Sequence, residues 1–229
     1  MINQYKNEDK TLLAVDCIIF GFDNEELKLL LIKRDFEPEK GKWSLMGGFL
    51  KQNETLNEAA SRVLTHLTGL HDVYMEQLYS FSELDRDPVE RTISVAYFAL
   101  INLNDHDKEL TESHSAKWFS LKDMPKLIFD HDAMVQHAIR RLRYRTATQP
   151  IGFELLPEKF TMRQLQKLYE AIYDQTLDKR NFTKKINGMD LLLRLDEKDM
   201  TSSKKGSYLF KFDEQKYKDK VMDGFSFKV

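Results

Sequence analysis

A glycine-rich loop followed by a carboxylate and a guanidinium group is the part of the chain best suited to chemistry. Gly48 stands six positions before Glu54, and Arg62 follows eight positions after that carboxylate. Carboxylates beside such a loop are the oxygen ligands that Mg²⁺ prefers. A cation bound there acts as a Lewis acid and activates water. Metal-assisted chemistry is therefore the first hypothesis that this segment raises.

A helix is predicted to position these side chains. Between Leu56 and Thr68, apolar residues recur with the period of a helix that buries one face. Thr55 and Glu58 have the spacing of a capping box, in which each side chain bonds the backbone of the other residue. Gly69 can adopt the left-handed conformation that ends a helix. The sequence thus predicts a loop, a capped helix and a defined stop.

The spacing of residues 48–70 resembles the signature of the Nudix family, whose hydrolases hold divalent cations against a diphosphate. That signature is glycine, five residues, glutamate, seven residues, arginine–glutamate–apolar, one residue, two glutamates, one residue and glycine–apolar. The positions that agree with it are Gly48, Glu54, Arg62, Leu64, Gly69 and Leu70. Because the agreement extends over many positions, the resemblance is more specific than a single glycine motif.

The other three glutamate positions of the signature carry no carboxylate here. They are occupied by Val63, His66 and Leu67. Hydrocarbon chains offer no ligand, and a neutral imidazole suits softer metals than Mg²⁺. We therefore expect no bound metal, no catalytic residue and no enzymatic activity, with Glu58 paired to Arg62 one helical turn away. An active hydrolase of ADP-ribose-type nucleoside diphosphates is the alternative.

Composition excludes several classes of protein. The chain has 229 residues and a net charge of −2, so it is not a uniformly basic coat for nucleic acid. Cys17 is the only cysteine, which excludes a disulfide within the chain and a cysteine-based zinc cluster. The apolar run at 17–22 is shorter than a membrane span requires, and the expected compartment is the cytoplasm.

Charge and pattern divide the chain near residue 149. Residues 1–149 carry 19 basic and 24 acidic side chains, whereas residues 150–229 carry 16 and 13. The first part alternates strand and helix patterns, which predicts a mixed α/β domain. Its expected strands are 12–22, 27–33, 74–81 and 91–103, the first two forming a hairpin, and its closing helix is 130–144. We therefore expect two domains, 1–149 and 150–229.

The second domain has the element order of a winged helix-turn-helix. An amphipathic helix is predicted over 162–173 after Thr161, with a second helix at 178–186 for which Asp178 is a natural N-cap. Two strands, 191–195 and 207–212, are predicted to follow around a polar tip. Helix, turn, helix and hairpin in this order are typical of DNA-binding domains.

The resemblance to known proteins covers almost the whole chain. Segments that resemble the Nudix-related transcriptional regulators are Leu127–His131, Gln149–Pro157, Phe160–Thr161, Leu165–Gln166, Tyr169–Ile172 and Asp178–Phe182. That family implies an N-terminal Nudix-like α/β/α sandwich with a mixed sheet, of α/β or α+β class, and a C-terminal winged helix-turn-helix. It also implies that the Nudix-like domain binds an effector and that the protein is a repressor that leaves its operator when ligand binds. We expect no cofactor.

One branch of this family is especially similar, the arabinose-responsive repressors of Bacteroidetes. The segments that carry this similarity are Asp16–Phe22, Trp43–Phe49, Asp85–Pro88 and Phe129–His131. It implies control of sugar catabolism by L-arabinose, while other branches sense ADP-ribose and control NAD metabolism. The effector is therefore expected to be L-arabinose, with another pentose such as xylose, or ADP-ribose, left open. A homodimer on an inverted-repeat operator of double-stranded DNA is also expected.

The second predicted helix and the wing carry the candidate DNA-binding residues. Arginine, lysine and asparagine read base edges, and lysines also contact phosphates. Phe182 and Ile186, four residues apart, would anchor the helix on its apolar side. A solvated charged face is the ordinary alternative. The candidates are Lys179, Arg180, Asn181, Thr183, Lys184, Lys185, Lys204, Lys205 and Lys211.

A pentose pocket needs hydrogen-bonding side chains and an aromatic wall. Buried polar groups left unpaired by a wrong sugar would provide selectivity. Each candidate also has a structural explanation: core packing for the apolar ones, a turn for the acidic loop, and fixing of the following helix for His131. The candidates are Lys33, Arg34, Trp43, Met46, Phe49, Asp85, Arg86, Glu90, Arg91, Phe129, Asp130 and His131.

Overall fold

A mixed sheet organises the N-terminal part of this computed structural model, which describes residues 7–23, 25–71, 73–103, 116–201 and 205–229. Its first two strands form the expected antiparallel hairpin, and the first also runs parallel to the sixth. The strands are β1 (Leu12–Phe22), β2 (Leu27–Lys33), β3 (Trp43–Ser44), β4 (Met46–Phe49), β5 (Tyr74–Phe81), β6 (Thr92–Asn102) and β7 (Ala116–Ser120). Their order is β3-β2-β1-β6-β5, with β4 paired to β1 and β7 paired to β2.

The sheet is covered by a helix on each face, which confirms the α/β/α sandwich. Side chains of a strand point alternately to opposite faces. In β1, Cys17 and Ile19 accordingly belong to the core beneath α1 (Leu56–Thr68), whereas Ile18 and Phe20 belong to the core beneath α2 (His131–Thr148). All four of these side chains are fully buried. The side chains of β1 therefore contribute to two hydrophobic cores, one on each face of the sheet.

The predicted helix caps of α1 are present. Thr55 accepts a hydrogen bond from the backbone of Glu58, and the Glu58 carboxylate accepts one from the backbone of Thr55. Gly69 has φ 71°, the left-handed conformation that a glycine adopts without strain. Both signals are local, which explains why the sequence was sufficient to place the helix.

The C-terminal part is a winged helix, as predicted. Its elements after a 3₁₀ helix at Pro150–Leu155 are β8 (Phe160–Thr161), α3 (Met162–Tyr173), α4 (Lys179–Met189), β9 (Leu192–Asp199), β10 (Ser207–Phe212) and α5 (Glu214–Met222). The small sheet has the order β8-β10-β9, and all its pairs are antiparallel. β9 extends to Asp199, four residues beyond the predicted strand end, so the wing is longer and its tip shorter than expected.

Helix α2 joins the two parts. It extends to Thr148, four residues beyond the predicted end, and the hydroxyls of Thr146 and Thr148 donate to carbonyls of the preceding turn. Arg143 Nε donates to the carbonyl of Ile172 on α3 at 2.8 Å. One buried hydrophobic cluster continues from β1 through α2 into α3 and α4. Within the described residues, no helix is long and apolar enough to span a membrane.

Candidate effector pocket and nucleic-acid-binding face

A pocket of about 320 Å³ opens on the N-terminal domain between β4 and the start of α2. Five of the predicted effector residues line it, namely Arg34, Phe49, Arg86, Phe129 and His131. Several lining residues were not predicted: Ala14, Asp16, Ile32, Asp35, Phe36, Ser44, Leu45, Gly47, Gly48, Asp87 and Thr92. The pocket thus gathers side chains from five separate stretches of the chain.

Asp16 forms the floor of this pocket. It lies on β1 and is 7% exposed. Ser94 Oγ on the neighbouring strand donates to Asp16 Oδ2 at 2.5 Å. Gly47 lies opposite Asp16 across the β1–β4 pair, and a Cβ atom there would overlap Oδ1. A glycine at this position is therefore needed for the carboxylate to sit where it does.

Arg86 connects the floor to helix α2. Its side chain is 4% exposed, and its Nε and Nη2 atoms donate to the two oxygens of Asp130 at 3.0 and 2.9 Å. Nη2 also lies 3.7 Å from Asp16 Oδ2. Parallel bonds of this kind are the strong, geometrically specific form of an ion pair. Arg86 is thereby held between two carboxylates, of which Asp130 is the N-cap residue of α2.

His131 presents one ring nitrogen to the floor. Its Nδ1 accepts a hydrogen bond from the backbone N–H of Leu45 at 3.1 Å, so the hydrogen of the neutral ring is on Nε2. Nε2 lies 3.9 Å from Asp16 Oδ1. Burial lowers the pKa of His131, with opposing effects from Asp16 and Asp130 and a further lowering from Arg86 and Arg34. The ring is therefore a neutral donor at neutral pH.

Aromatic rings form the walls. Phe36 and Phe49 are each about half exposed, at 53% and 51%. The guanidinium carbon of Arg34 lies 3.8 Å from the centre of the Phe36 ring and 5.3 Å from that of Phe129. Phe129 has φ 49°, a left-handed conformation that costs energy for a bulky residue and is often found at binding sites. This backbone geometry places its ring at the pocket.

Six of the predicted effector residues do not line the pocket, and Asp130 reaches it only through Arg86. Met46 is fully buried in the core, and Trp43 packs edge-on against Phe119 with the Lys33 ammonium over its ring. Arg91 donates to the carbonyl of Glu83. The remaining two, Asp85 and Glu90, are exposed on the loop. These six predictions therefore find no support in the pocket geometry.

Sequence reasoning missed Asp16 although a signal was present. It is the one charged residue between Leu12 and Phe22, a strand otherwise composed of apolar residues and glycine. A carboxylate at the centre of a buried strand is costly unless it has partners. Its partners Ser94, Arg86 and His131 come from distant parts of the chain, so only the fold brings them together.

Neighbouring groups of the protein engage the carboxylates that remain in the Nudix box. Arg62 donates from Nε and Nη2 to the two oxygens of Glu54 at 2.8 and 2.6 Å, so the predicted Glu58–Arg62 pair is wrong. Glu58 is instead engaged by the Thr55 cap. The hydrogen bonds from Arg62 lower the pKa of Glu54 to about 2. Val63 is 3% exposed and packs in the core. These side chains do not fit the cation that the family's hydrolases use.

Helix α4 presents a basic face to solvent. Phe182 and Ile186 are 6% and 2% exposed and anchor the helix on the domain core. Asp178 caps it by accepting from the backbone of Asn181 at 2.8 Å. The outward residues are Lys179, Arg180, Asn181, Lys184 and Lys185, all exposed, and Thr183, which is half-buried.

The wing contributes further cations. Lys205 is exposed at its tip, while Lys204 lies outside the described residues. Lys211 is paired with Glu158, so it is engaged within the protein. Arg194 stacks on Tyr208, with its guanidinium carbon 3.6 Å from the ring centre. By contrast, no ion pair of the described residues involves the four basic side chains of α4.

Comparison with known proteins matches both domains. Residues 10–140 match the NUDIX domain, and residues 152–212 match the NrtR DNA-binding winged helix domain. The ADPR responsive transcriptional repressor NtrR of Acinetobacter baylyi is 34% identical over 220 residues, which cover 93% of this chain and 88% of that protein.

Solved structures show the same two-domain arrangement. Shewanella oneidensis NrtR complexed with a 27mer DNA is 27% identical, with a TM-score of 0.80 over 87% of this chain and 93% of that one. The NUDIX domain of the same protein complexed with ADP ribose is 32% identical, with a TM-score of 0.52 over 62% of this chain and 99% of that one. The chain therefore belongs to the NrtR-like family of transcriptional regulators, in which a Nudix domain precedes a DNA-binding winged helix.

Proposed function

We propose that this chain is a transcriptional repressor whose Nudix domain senses a small molecule and does not hydrolyse it. One observation carries the proposal: a pocket with a buried polar floor lies at one end of α2, and the winged helix domain, which carries the basic face of α4, packs against the other end. Sensing and DNA binding are thus joined by one rigid element.

The proposed absence of hydrolysis is supported by the chemistry of the box. Glu54 is neutralised by Arg62, and Val63 supplies hydrocarbon where a metal ligand stands in the family's signature. The test is incubation of the full chain with ADP-ribose and Mg²⁺ or Mn²⁺, with an active Nudix hydrolase as positive control. Release of AMP and ribose 5-phosphate at an enzymatic rate would overturn this part of the proposal.

A neutral sugar is the effector that the pocket suits best, and we propose a pentose, L-arabinose first. The lining holds three carboxylates, those of Asp16, Asp35 and Asp87, against the two guanidinium groups of Arg34 and Arg86. Arg86 is already neutralised by Asp130. A diphosphate would therefore meet more negative than positive charge, whereas sugar hydroxyls can both accept from guanidinium groups and donate to carboxylates.

ADP-ribose is the second candidate, and the relatives favour it. A repressor from Acinetobacter is named for its response to this nucleotide, and the Shewanella Nudix domain has been crystallised with it. Arg34 at the pocket wall, stacked on Phe36, is the group best placed to meet a phosphate. Xylose is a third possibility within the pentose class.

Thermal-shift titration of the full chain distinguishes these ligands. A ligand that binds the native state raises the unfolding midpoint in proportion to RT ln(1 + [L]/Kd). We expect a concentration-dependent rise with L-arabinose that is larger than with xylose, glucose or ADP-ribose. A rise with ADP-ribose alone would transfer the effector assignment to the nucleotide and leave the repressor assignment intact.

Operator binding is proposed to use a homodimer and an inverted repeat. Two winged helices read two half-sites only when their spacing matches that of the half-sites. We propose that the effector changes this spacing through α2, since a ligand shifts an equilibrium only by preferring one arrangement. Gel-shift measurements with promoter DNA, with and without ligand, test this step. Affinity that does not change with any of the candidate ligands would contradict it.

A further inference from the structure

Three buried polar side chains share the floor of the pocket. Asp16, Arg86 and His131 are 7%, 7% and 4% exposed as whole residues, and they come from β1, the loop before β6 and α2. Resting on the proposed function, we infer that they form a subsite for two adjacent hydroxyl groups of the effector. The inference rests on the unused hydrogen-bonding capacity of these groups and on the distances between them.

The first hydroxyl position lies between Asp16 and His131. Oδ1 is an acceptor and Nε2–H is a donor, and the two atoms are 3.9 Å apart, too far for a direct bond. Within the described residues, neither atom takes part in a hydrogen bond. A hydroxyl oxygen within hydrogen-bonding reach of both would donate to Oδ1 and accept from Nε2. Only a group that donates and accepts at once satisfies this pair.

The second hydroxyl position lies beside Arg86. Nε and Nη2 each donate one N–H to Asp130, and the guanidinium has five N–H donors in all. Nη2 lies 3.7 Å from Asp16 Oδ2, again beyond a direct bond. A neighbouring hydroxyl can therefore accept from Arg86 while Asp16 binds the first. Adjacent hydroxyls of a sugar ring match this pairing.

The floor is built for this carboxylate at some cost to stability. A buried ionic group is rarely more stabilising than a well-packed apolar residue of similar size. Here Ser94 holds one oxygen, Gly47 makes room for the other, and the backbone of Leu45 fixes the tautomer of His131. Since each of these features orients a polar group toward the cavity, the arrangement favours ligand recognition over packing.

The subsite also predicts which ligands are rejected. A sugar lacking one of the two hydroxyls would bury Asp16 or His131 without a partner. Leaving such a group unpaired costs about 10- to 100-fold in affinity. A phosphate in the same place would meet the Asp16 carboxylate, so the floor excludes a dianion.

The experiment measures L-arabinose binding to the full chain by calorimetry, with deoxy analogues and one matched pair of variants. In the first arm, wild-type protein is titrated with L-arabinose and with its single-deoxy derivatives. This arm tests the subsite without any substitution in the protein. Asp16→Asn keeps the shape of the floor but removes the charge. Asp123→Asn makes the same change at an exposed residue that does not line the pocket, and is the control. Circular dichroism and operator binding confirm that both variants are folded.

We expect two of the single-deoxy sugars, those that lack one or the other of two adjacent hydroxyls, to bind about 10-fold or more weakly than L-arabinose. Asp16→Asn should lose at least as much, while Asp123→Asn, which lies outside the pocket, changes affinity less than about 3-fold. If wild-type protein binds L-arabinose but Asp16→Asn and every deoxy sugar bind equally well, the subsite is wrong and the proposed function stands. If wild-type protein binds no sugar, the proposed pentose effector fails first and this subsite fails with it.

Discussion

Arg86 clamps the carboxylate of Asp130 with two hydrogen bonds, at 3.0 and 2.9 Å, immediately before the first residue of α2. The other end of α2 contacts the winged helix, where Tyr169 donates to the carbonyl of Thr146 at 3.3 Å. The 18 residues of α2 span roughly 27 Å. A helix of this length therefore connects the pocket to the winged helix domain.

Breaking this clamp should uncouple ligand binding from DNA release. In Asp130→Asn one carboxylate oxygen becomes an amide, and one charge-assisted bond worth about 1.5–3 kcal/mol is lost. We expect operator affinity without ligand and sugar affinity to stay within about 5-fold, because Asp130 does not line the pocket. The ligand-induced fall in operator affinity should shrink by about 10-fold.

Asp132→Asn is the matched control, since Asp132 lies on the first turn of the same helix. Gel-shift titrations over a range of ligand concentrations give both affinities. If Asp130→Asn binds the ligand normally and the ligand lowers its operator affinity as much as in wild-type protein, then the Arg86–Asp130 pair does not couple the pocket to α2.

Gly47 should be intolerant of even a methyl group. In Gly47→Ala the new Cβ overlaps Asp16 Oδ1, so the carboxylate or strand β4 must shift. Overpacking of this kind costs roughly 1–3 kcal/mol. Gly188→Ala is the control, because nothing lies within 4 Å of its Cβ position on α4. Urea unfolding should show destabilisation in Gly47→Ala only; equal stability of the two variants would contradict the geometry.

Local signals in the sequence were sufficient for most of the fold. The β1–β2 hairpin, the Thr55 capping box and the Asp178 cap depend on residues close together in the chain. Helix α5 was missed because none of its residues is buried, so it carries no apolar periodicity. Its N-cap Asp213, which accepts from the backbone of Lys216, was the available signal.

The candidate site was predictable only in part. Arg86 and His131 stand in segments that resemble known regulators, and Arg34 was a candidate because it lies near the Nudix box. Asp16 was overlooked because its significance depends on Ser94 and Arg86, which are distant in sequence. Trp43 and Met46 were misplaced because aromatic and sulfur-containing side chains suit a core as well as a pocket wall. Site residues whose role depends on contacts between distant parts of the chain could therefore not be predicted from the sequence.

The stability of the protein should fall as the pH drops below about 6.5, the ordinary pKa of histidine. Burial lowers the pKa of His131 in the folded state, so the unfolded chain takes up a proton first. The contribution of the neutral ring is complete above pH 6.5 and is lost progressively as the pH falls toward the lowered pKa. Urea unfolding between pH 7.5 and 5.5 measures this slope.

His131→Gln should flatten the slope, whereas His137→Gln should flatten it less. The pKa of His137 is also lowered, by burial and by Arg140 and Arg141, but its side chain is only half-buried. Identical slopes in wild-type protein and His131→Gln would show that His131 is not the group responsible.

Helix α4 should supply both specific and nonspecific contacts to DNA. Lys184→Ala removes a candidate phosphate contact, which should weaken all duplexes alike and reduce the salt slope of log K by about 0.9. Arg180→Ala removes a candidate base contact near the start of the helix, which should lower discrimination between operator and scrambled duplex by about 10-fold. Lys218→Ala on α5 is the control. Fluorescence anisotropy at several salt concentrations gives all three values, and a Lys218→Ala effect equal to that of Lys184→Ala would refute the assignment to α4.

The C-terminal tail should stabilise both domains together. Phe227 is 3% exposed within the cluster that continues from the N-terminal sheet to α4, and the Val229 N–H donates to the carbonyl of Ala147 on α2 at 3.2 Å. Phe227→Ala should cost roughly 3 kcal/mol, and the half-buried Phe225 offers the milder control Phe225→Ala. Because one core connects the domains, calorimetry should show a single unfolding transition that shifts as a whole. Two transitions, of which only one responds to Phe227→Ala, would mean that the domains unfold independently and that α2 is not a rigid connection between pocket and DNA.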